Sequence, residues 1–594
     1  DPEMSRGLGD VYKRQYLYGR LVRHLSRNIK EYGRKTGKEI HFYVATHSLV
    51  NYAQWKIMSP ESRLLDVDEV DGFIAQVWTG TSGTGNVYEG HYKSRTFETA
   101  YLEYGIMQEL VKGTDKEVWF LQDPVEDNPE HGWEEYADKY KKTLTAALFW
   151  PDVDHYEVCP WPNRVFKGRY PRKVGLAEGM IPTEDMEGAK NIPDTYATFL
   201  AGMIQTLGDM TKEESETEKD AVGVFLADSC MYQRTYPDQV EHHGQKINLS
   251  GMEDWMNRLI FQKEEERQLL LSMEKMEYAY KECCAFPDWF GLTLPLLKYG
   301  LPIQPVYFDH MVRYEEYLRK YRYLILSYEF MKPESEEFHH KLVEWVKQGG
   351  TLFYIGKDFD PYNYLQEWWQ KFSCDTPAQH LFAEFGMDKE PANGCYRIGE
   401  GNVLVWNEVP ALLSVNEAIA DKYRNWIREG LKMGGYHWNM CNYLSVRRDP
   451  YIVIASMQES DTGSVYTKEG LFVDLYEDKY PVVERVLVEP GQEKLLFDLE
   501  KIKEDVRIIA TAARIENMAC ENGQLSIEAK AIDHIQVNMR IRLPGKPEDL
   551  CAHTESGKNM ELQSVWDEKS RTVLLSYRSN NEKVHITGKL KYES

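Results

Sequence analysis

The sequence predicts a multidomain α/β protein in three parts: a partial (β/α)8 barrel, an open-sheet α/β domain, and a C-terminal β-sandwich. Three observations predict it. The chain has 594 residues, too many for one ordinary core. From Tyr16 onward, helix-like and strand-like segments alternate, the mark of repeated βα units. After about Asn442 the pattern changes to short alternating strands separated by turn residues, as in antiparallel sandwiches. The expected boundaries are 16–210, 211–440 and 441–594.

Residues 1–15 stand apart. Gly7–Gln15 (GLGDVYKRQ) has no apolar periodicity and resembles translated sequencing-adaptor sequence, so this stretch is read as non-native. No apolar core follows its basic residues, which excludes a signal peptide reading. A basic helix over about Tyr18–Lys35 then leads through Thr-Gly into a strand at Glu39–Thr46. A helix at Val50–Met58, a strand at Gly72–Thr79 and a helix near Ser94–Lys112 follow. The strand Glu117–Leu121 ends in Gln122–Asp123–Pro124. Helix Trp133–Phe149 places Trp133, Tyr136, Tyr140, Leu144 and Leu148 on one stripe. Strand His155–Cys159 ends in Pro160–Trp161–Pro162. Four such strands at intervals of about 35 to 45 residues suit a barrel or an open sheet. Polar and aromatic strand ends, with no glycine-rich phosphate turn, favour the barrel. Four strands cannot close one, so the other half is expected to precede them.

The charged run Thr211–Asp220 reads as a linker. Beyond it come a strand at Ala221–Ala227, a long helix at Trp255–Cys284, and strands at Ile303–Phe308, Tyr323–Ser327 and Thr351–Ile355. Helix Pro333–Lys347 opens on Pro and acids and stops at Gly349–Gly350. Strand Asn402–Trp406 and helix Val415–Lys432 complete a second, doubly wound α/β domain. The sandwich strands are expected at Tyr451–Ala455, Gly470–Leu475, Lys494–Asp498, Val506–Ala512, Leu525–Ala531, Gln536–Leu543 and Thr572–Tyr577.

Composition excludes several function classes. A formal net charge of -24 lacks the basic footprint that nucleic acid requires. No apolar run approaches the ~18 to 20 residues that span a bilayer. The nine cysteines are scattered, odd in number and without a CxxC pair. They read as reduced thiols of a cytoplasmic protein, with neither a disulfide frame nor a metal site. No cofactor motif is present. The 15 Trp and 39 Tyr suit sugar stacking as well as large cores.

Barrel enzymes carry their chemistry at the C-terminal strand ends. Those ends supply His47, Gln76, Trp78, Gln122, Asp123, Glu126, Trp161 and Arg164. Amides and acids bind hydroxyls, flat rings stack on sugars, and paired carboxyls cleave glycosidic bonds. Asp123 is the first catalytic candidate and Glu126 the second. His47, Gln76, Trp78, Gln122, Trp161 and Arg164 are candidate substrate-binding residues. Each has a plainer alternative: Asp123 as a cap on the turn before Pro124, the Trp side chains as rim packing, His47 as a hydrogen-bonded structural residue.

Tyr321–Gly356 (YRYLILSYEFMKPESEEFHHKLVEWVKQGGTLFYIG) and Arg397–Trp406 (RIGEGNVLVW) resemble the middle domain of family 42-type beta-galactosidases. The resemblance implies a flavodoxin/amidotransferase-like middle domain used for trimerisation, between a barrel and a small β domain. It also implies an oligosaccharide substrate and a two-carboxylate mechanism. In that family the general acid follows the fourth strand, which would lie before this chain, and the nucleophile follows the seventh. Here the strand numbered seven ends in Gln122–Asp123, where the family uses Glu. The middle domain also lacks the Gly-x-Cys-x-Gly turn of working amidotransferases. The expectation is therefore a beta-galactosidase-like glycoside hydrolase whose present chain is inactive. The rival is a non-catalytic carbohydrate-binding or assembly protein with a degenerate barrel.

Overall fold

The computed structural model describes residues 8–55, 57–77, 79–83, 85–89, 91–125, 131–174, 182–211, 222–234, 239–242, 245–248, 287–358, 367–414 and 416–591. The chain divides into two compact units, each drawn from separate stretches. The first takes Asp1–Val77, Thr81–Phe120 and Ser215–Cys441; the second takes Trp78–Gly80, Leu121–Glu214 and Asn442–Ser594. The helix expected at Trp255–Cys284 and nearly all of the run Thr211–Asp220 lie outside the described residues.

In the first unit, helix Leu8–Thr36 precedes a short parallel sheet. Strand Tyr43–Thr46 pairs with Gly72–Ala75, which pairs in turn with Glu117–Phe120. One face is covered: Thr46, Phe73, Ala75 and Phe120 are buried. The opposite face carries exposed Ala45 and half-buried Tyr43, Ile74 and Trp119. The Tyr43 and Trp119 rings lie 5.3 Å apart on that face. Among the described residues, strand Tyr43–Thr46 has a sheet neighbour on one side only, and these strands do not close into the expected barrel.

The same unit holds a six-stranded sheet in the order Ile303–Tyr307, Val222–Leu226, Tyr323–Leu326, Thr351–Ile355, Gly401–Trp406, Gly394–Ile398. All its pairings are parallel except the last, which is antiparallel. Counted along the chain this is 2-1-3-4-6-5, the doubly wound order in which the strand sequence reverses beside the first strand. Its central strands read as continuous apolar runs because helices cover both faces of such sheets. Thr351–Ile355 is buried at every position. Helix Glu337–Lys347 buries Phe338, Leu342, Val343, Trp345 and Val346 and ends before Gly349, whose φ of +114° favours glycine.

The second unit is rich in antiparallel sheet. Its first sheet has the order Tyr443–Arg448, Tyr451–Ser456, Glu493–Asp498, Tyr466–Asp474, Val482–Val488. Tyr451, Val453, Leu495 and Phe497 of that sheet share one core with Tyr136, Tyr140 and Leu144 of helix Trp133–Leu148. Tyr196, Leu200, Met203 and Leu207 of helix Asp194–Asp209 join the same core. Two further sheets then enclose a core of Leu525, Ile527, Val537, Met539, Ile541, Val573, Leu575 and Ile586. The sheet-rich region expected after residue 441 thus has two parts, and the facing pair of sheets begins with Arg507–Thr511. Helix Asp194–Asp209 serves both cores, because Ala197 and Ala201 on its other side pack with the second.

Candidate active site

The expected strand-tip residues are divided between the units. Trp78 and Glu126 lie outside the described residues.

In the first unit the structure brings His47 and Gln76 together. The His47 ring Nδ1 lies 3.0 Å from the Gln76 carbonyl oxygen. A carbonyl only accepts, so the proton sits on Nδ1 and the Nε2 lone pair faces elsewhere. Burial lowers the affinity of this imidazole for a second proton, leaving it neutral at pH 7. The His47 backbone N–H donates to the Tyr52 hydroxyl at 3.0 Å. His47 is thus hydrogen-bonded through both its ring and its backbone.

Just beneath lies a buried polar chain that the sequence did not disclose. Ser48 Oγ donates to Asn51 Oδ1 at 2.8 Å, and Asn51 Nδ2 donates to Glu103 Oε1 at 2.5 Å. Burial pushes the Glu103 carboxyl up to about 8, opposed by its bonds to Asn51 and Thr81. A neutral acid is therefore stored near the strand tips. Periodicity places Glu103 on a helix but cannot report that all of helix Thr96–Leu110 is buried.

A second titratable group sits where the doubly wound sheet reverses. Asp228 and Asp309 follow the first two strands of that sheet, and the Asp228 N–H donates to Asp309 Oδ2 at 2.9 Å. Burial first, then the Asp228 charge, pushes Asp309 up to about 7. Open α/β sheets take ligands in this crevice. Here Ser62 Oγ donates to Asp228 Oδ2 and the Tyr307 hydroxyl to its Oδ1, so the protein's own side chains already engage it; Gln15, the last residue of the stretch read as non-native, also donates to Oδ2 at 2.7 Å.

The second unit gathers Gln122, Asp123, Trp161 and Arg164. The Cys159 N–H donates to the Gln122 carbonyl at 3.1 Å, which sets the two strand ends side by side. Pro162 opens the short helix Pro162–Phe166, where its fixed φ suits the first turn. That turn carries Arg164 Nη1 to 3.8 Å from Asp123 Oδ2. The Asp123 side chain is 0% exposed, and its Oδ1 accepts the Val125 N–H at 3.2 Å. The Asp-Pro turn cap named as the plainer alternative is thus formed. Trp161, by contrast, is 54% exposed. Burial, reinforced by Asp123, pushes the Cys159 thiol up to about 12, so it is no nucleophile at neutral pH.

Glycosidic cleavage needs two carboxyls about 5 to 9.5 Å apart with access to the bond between them. Asp123 has the charge partner but not the access. Glu157, half-buried and pushed up by burial, is the other carboxyl described on these two strand ends. Among the described residues no group of His, Cys, Asp and Glu could hold a metal ion. No described helix is long and apolar enough to cross a membrane.

No family model matches the chain, and no curated protein does. Solved structures similar to it include Gan42B, a GH42 beta-galactosidase, at 10% identity and a TM-score of 0.31, covering 74% of this chain and 64% of that one. The apo exo-carrageenase GH42 from Bacteroides ovatus aligns at 9% identity and a TM-score of 0.32, covering 75% and 51%. The catalytic module of a family 98 glycoside hydrolase from Streptococcus pneumoniae aligns at 9% identity and a TM-score of 0.16, covering 95% and 87%. The chain spans less than two thirds of the length of either GH42 structure.

Proposed function

We propose that this chain is part of a carbohydrate-active protein of the glycoside hydrolase type, beta-galactosidase-like in layout, which binds a neutral oligosaccharide but does not cleave it unaided. One observation carries the binding half: Trp161 stands exposed at a strand tip, one helical turn before Arg164. A flat ring beside a cation and amide is the chemistry that grips a sugar's apolar face and its hydroxyls. The inactive half rests on Asp123, whose carboxylate is enclosed and already bonded. Trimer formation, implied by the resemblance, belongs to this reading as well.

Titration with galacto-oligosaccharides, followed by tryptophan fluorescence and calorimetry, tests the reading. Saturable binding that Trp161→Ala weakens by about tenfold, as loss of a stacking ring should, supports it. Hydrolysis of aryl galactosides should be absent. Turnover that disappears in Asp123→Asn would reinstate Asp123 as nucleophile and refute the non-cleaving part. Binding unchanged in Trp161→Ala would remove the sugar platform.

A further inference from the structure

Two buried imidazoles meet nitrogen to nitrogen beside the doubly wound sheet. His339 stands on helix Glu337–Lys347 and His380 on helix Pro377–Glu384. Their Nδ1 atoms lie 2.8 Å apart, and His339 Nε2 lies 2.9 Å from the Tyr328 hydroxyl. At that distance one Nδ1 carries a hydrogen and the other is bare. Two neutral rings meet the condition, and so does a pair with one ring charged. Two charged rings break it, because both Nδ1 atoms then carry N–H groups aimed at each other. The turn Trp368–Phe372 closes round the pair. The Trp368 ring lies 5.2 Å from that of His339 and 4.9 Å from that of His380, and the Phe372 ring 4.6 Å from that of His380. The same stretch is tied to residues that follow strands Tyr323–Leu326 and Thr351–Ile355. Trp368 Nε1 donates to the Pro333 carbonyl at 2.9 Å, and Thr376 Oγ1 donates to Asp358 Oδ2 at 2.7 Å.

We propose that the His339–His380 pair is an acid-released clasp. It holds residues 367–384 on helix Glu337–Lys347 while at least one ring is neutral, and lets them go when both take up protons. The surroundings favour the neutral state. Burial first, then His380 and His340, keeps His339 well below the ordinary imidazole range. Burial also lowers His380, with the push of His340 and Lys389 and against the pull of Glu384 and Glu336. Asp358 acts on Tyr328 from the far end of the chain of contacts. His340 Nε2 lies 3.6 Å from Glu384 Oε2 across the same two helices, an exposed pair too weak to stand in for the clasp. The sign of the effect follows. Below about pH 6.5 the opened stretch binds two protons where the closed one binds at most one. Opening therefore grows by about tenfold for each pH unit below 6.5, and is indifferent to pH above it. The clasp owes nothing to sugar binding or to Trp161, and stands or falls apart from them.

Hydrogen exchange of the full chain between about pH 8 and pH 5, corrected for intrinsic exchange rates, tests the clasp. Residues 367–384 should open about tenfold more per unit below pH 6.5, while strand Thr351–Ile355 keeps its protection. His339→Asn sets an amide, which can donate or accept but does not titrate, where Nδ1 stood. In that variant the pH dependence should flatten to less than about twofold per unit. Nitrogen NMR of the histidines in the parent chain needs no variant: one of the two rings should stay neutral for as long as the stretch is protected. The proposal is overturned by opening that ignores pH, or by the same pH dependence in His339→Asn. It is equally overturned if strand Thr351–Ile355 opens in step with residues 367–384, or if both rings are charged while the stretch stays protected.

Discussion

Of the three buried glutamates on helix Thr96–Leu110, Glu103 and Glu109 are treated by the fold in opposite ways. Burial alone would push both upward. Glu109 is nonetheless held down at about 2, because Lys112 and Lys320 and the hydroxyls of Tyr317 and Tyr321 outweigh that burial. Glu103 meets only the Asn51 amide and the Thr81 hydroxyl, too little to offset its burial, and rises to about 8 from its usual 4.5. The sign of the pH effect follows. Below 4.5 the Glu103 carboxyl is neutral in both folded and unfolded chains and shifts nothing. Between 4.5 and 8 the unfolded chain releases a proton that the folded one keeps, so stability falls as pH rises. Above 8 the loss is complete, on the order of a few kcal/mol. Glu103→Gln should therefore match the parent in urea unfolding at pH 5 and exceed it at pH 9. A constant difference across that range would show that Glu103 ionises normally. None of this was legible in the sequence, where Glu103 and Glu109 are both acids on one helix; burial and the distant Lys320 separate them. At Asp123 the reverse holds, since the turn cap could be read from Asp-Pro, and the structure forms it.

Elements were most legible where glycine or an apolar run dictates backbone. The Gly349–Gly350 stop of helix Glu337–Lys347 and the strand Thr351–Ile355 fall where the sequence predicts. Less legible were the hairpin Arg169–Val174 with Pro182–Asn191 and the helix Asp194–Asp209. The hairpin is charged and irregular, so it lacks a period of two. The helix did carry a signal, a leading Pro193–Asp194 with apolar residues at helical spacing, but its two buried faces blur the single stripe that marks a surface helix. Close packing of elements gives a sharp test in the doubly wound sheet. A Cβ at Gly401 would lie 2.0 Å from the Val346 carbonyl oxygen and 2.2 Å from that of Gly350. Both are backbone atoms that cannot swing aside, so Gly401→Ala should cost about 3 kcal/mol or more. Gly394→Ala, whose nearest neighbour is 3.8 Å away, should stay within about 0.5 kcal/mol. Equal thermal midpoints for the two variants would contradict the registry of helix Glu337–Lys347 against strand Gly401–Trp406.

At the scale of the molecule, adjacency along the chain misleads. Grouping neighbours in sequence yields three consecutive parts, yet the second unit joins Leu121–Glu214 to Asn442–Ser594 across more than two hundred intervening residues. The reason is the unsatisfied face of a sheet. Strands Tyr451–Ser456 and Glu493–Asp498 present Tyr451, Val453, Leu495 and Phe497, and the apolar stripes that cover them lie on helices Trp133–Leu148 and Asp194–Asp209. A sequence pattern shows that a stripe exists without showing which distant surface it meets. Arg448 fastens the same junction from inside, with Nη1 donating to the Tyr156 hydroxyl at 2.9 Å and Nη2 to the Val153 carbonyl at 2.9 Å. A chain of residues 16–440, complete by the adjacency reading, would leave Tyr136, Tyr140, Leu144, Tyr196, Leu200 and Leu207 without their sheet. Each such side chain loses about 1.5 to 3 kcal/mol of burial, and together they match the ~5 to 15 kcal/mol by which domains are stable. That shortened chain should bind a hydrophobic dye, aggregate, and lose protection from proteolysis between residues 121 and 211, while residues 287–358 stay resistant. Uniform protection throughout, with cooperative melting, would mean that the two helices find a sufficient core without the C-terminal sheets.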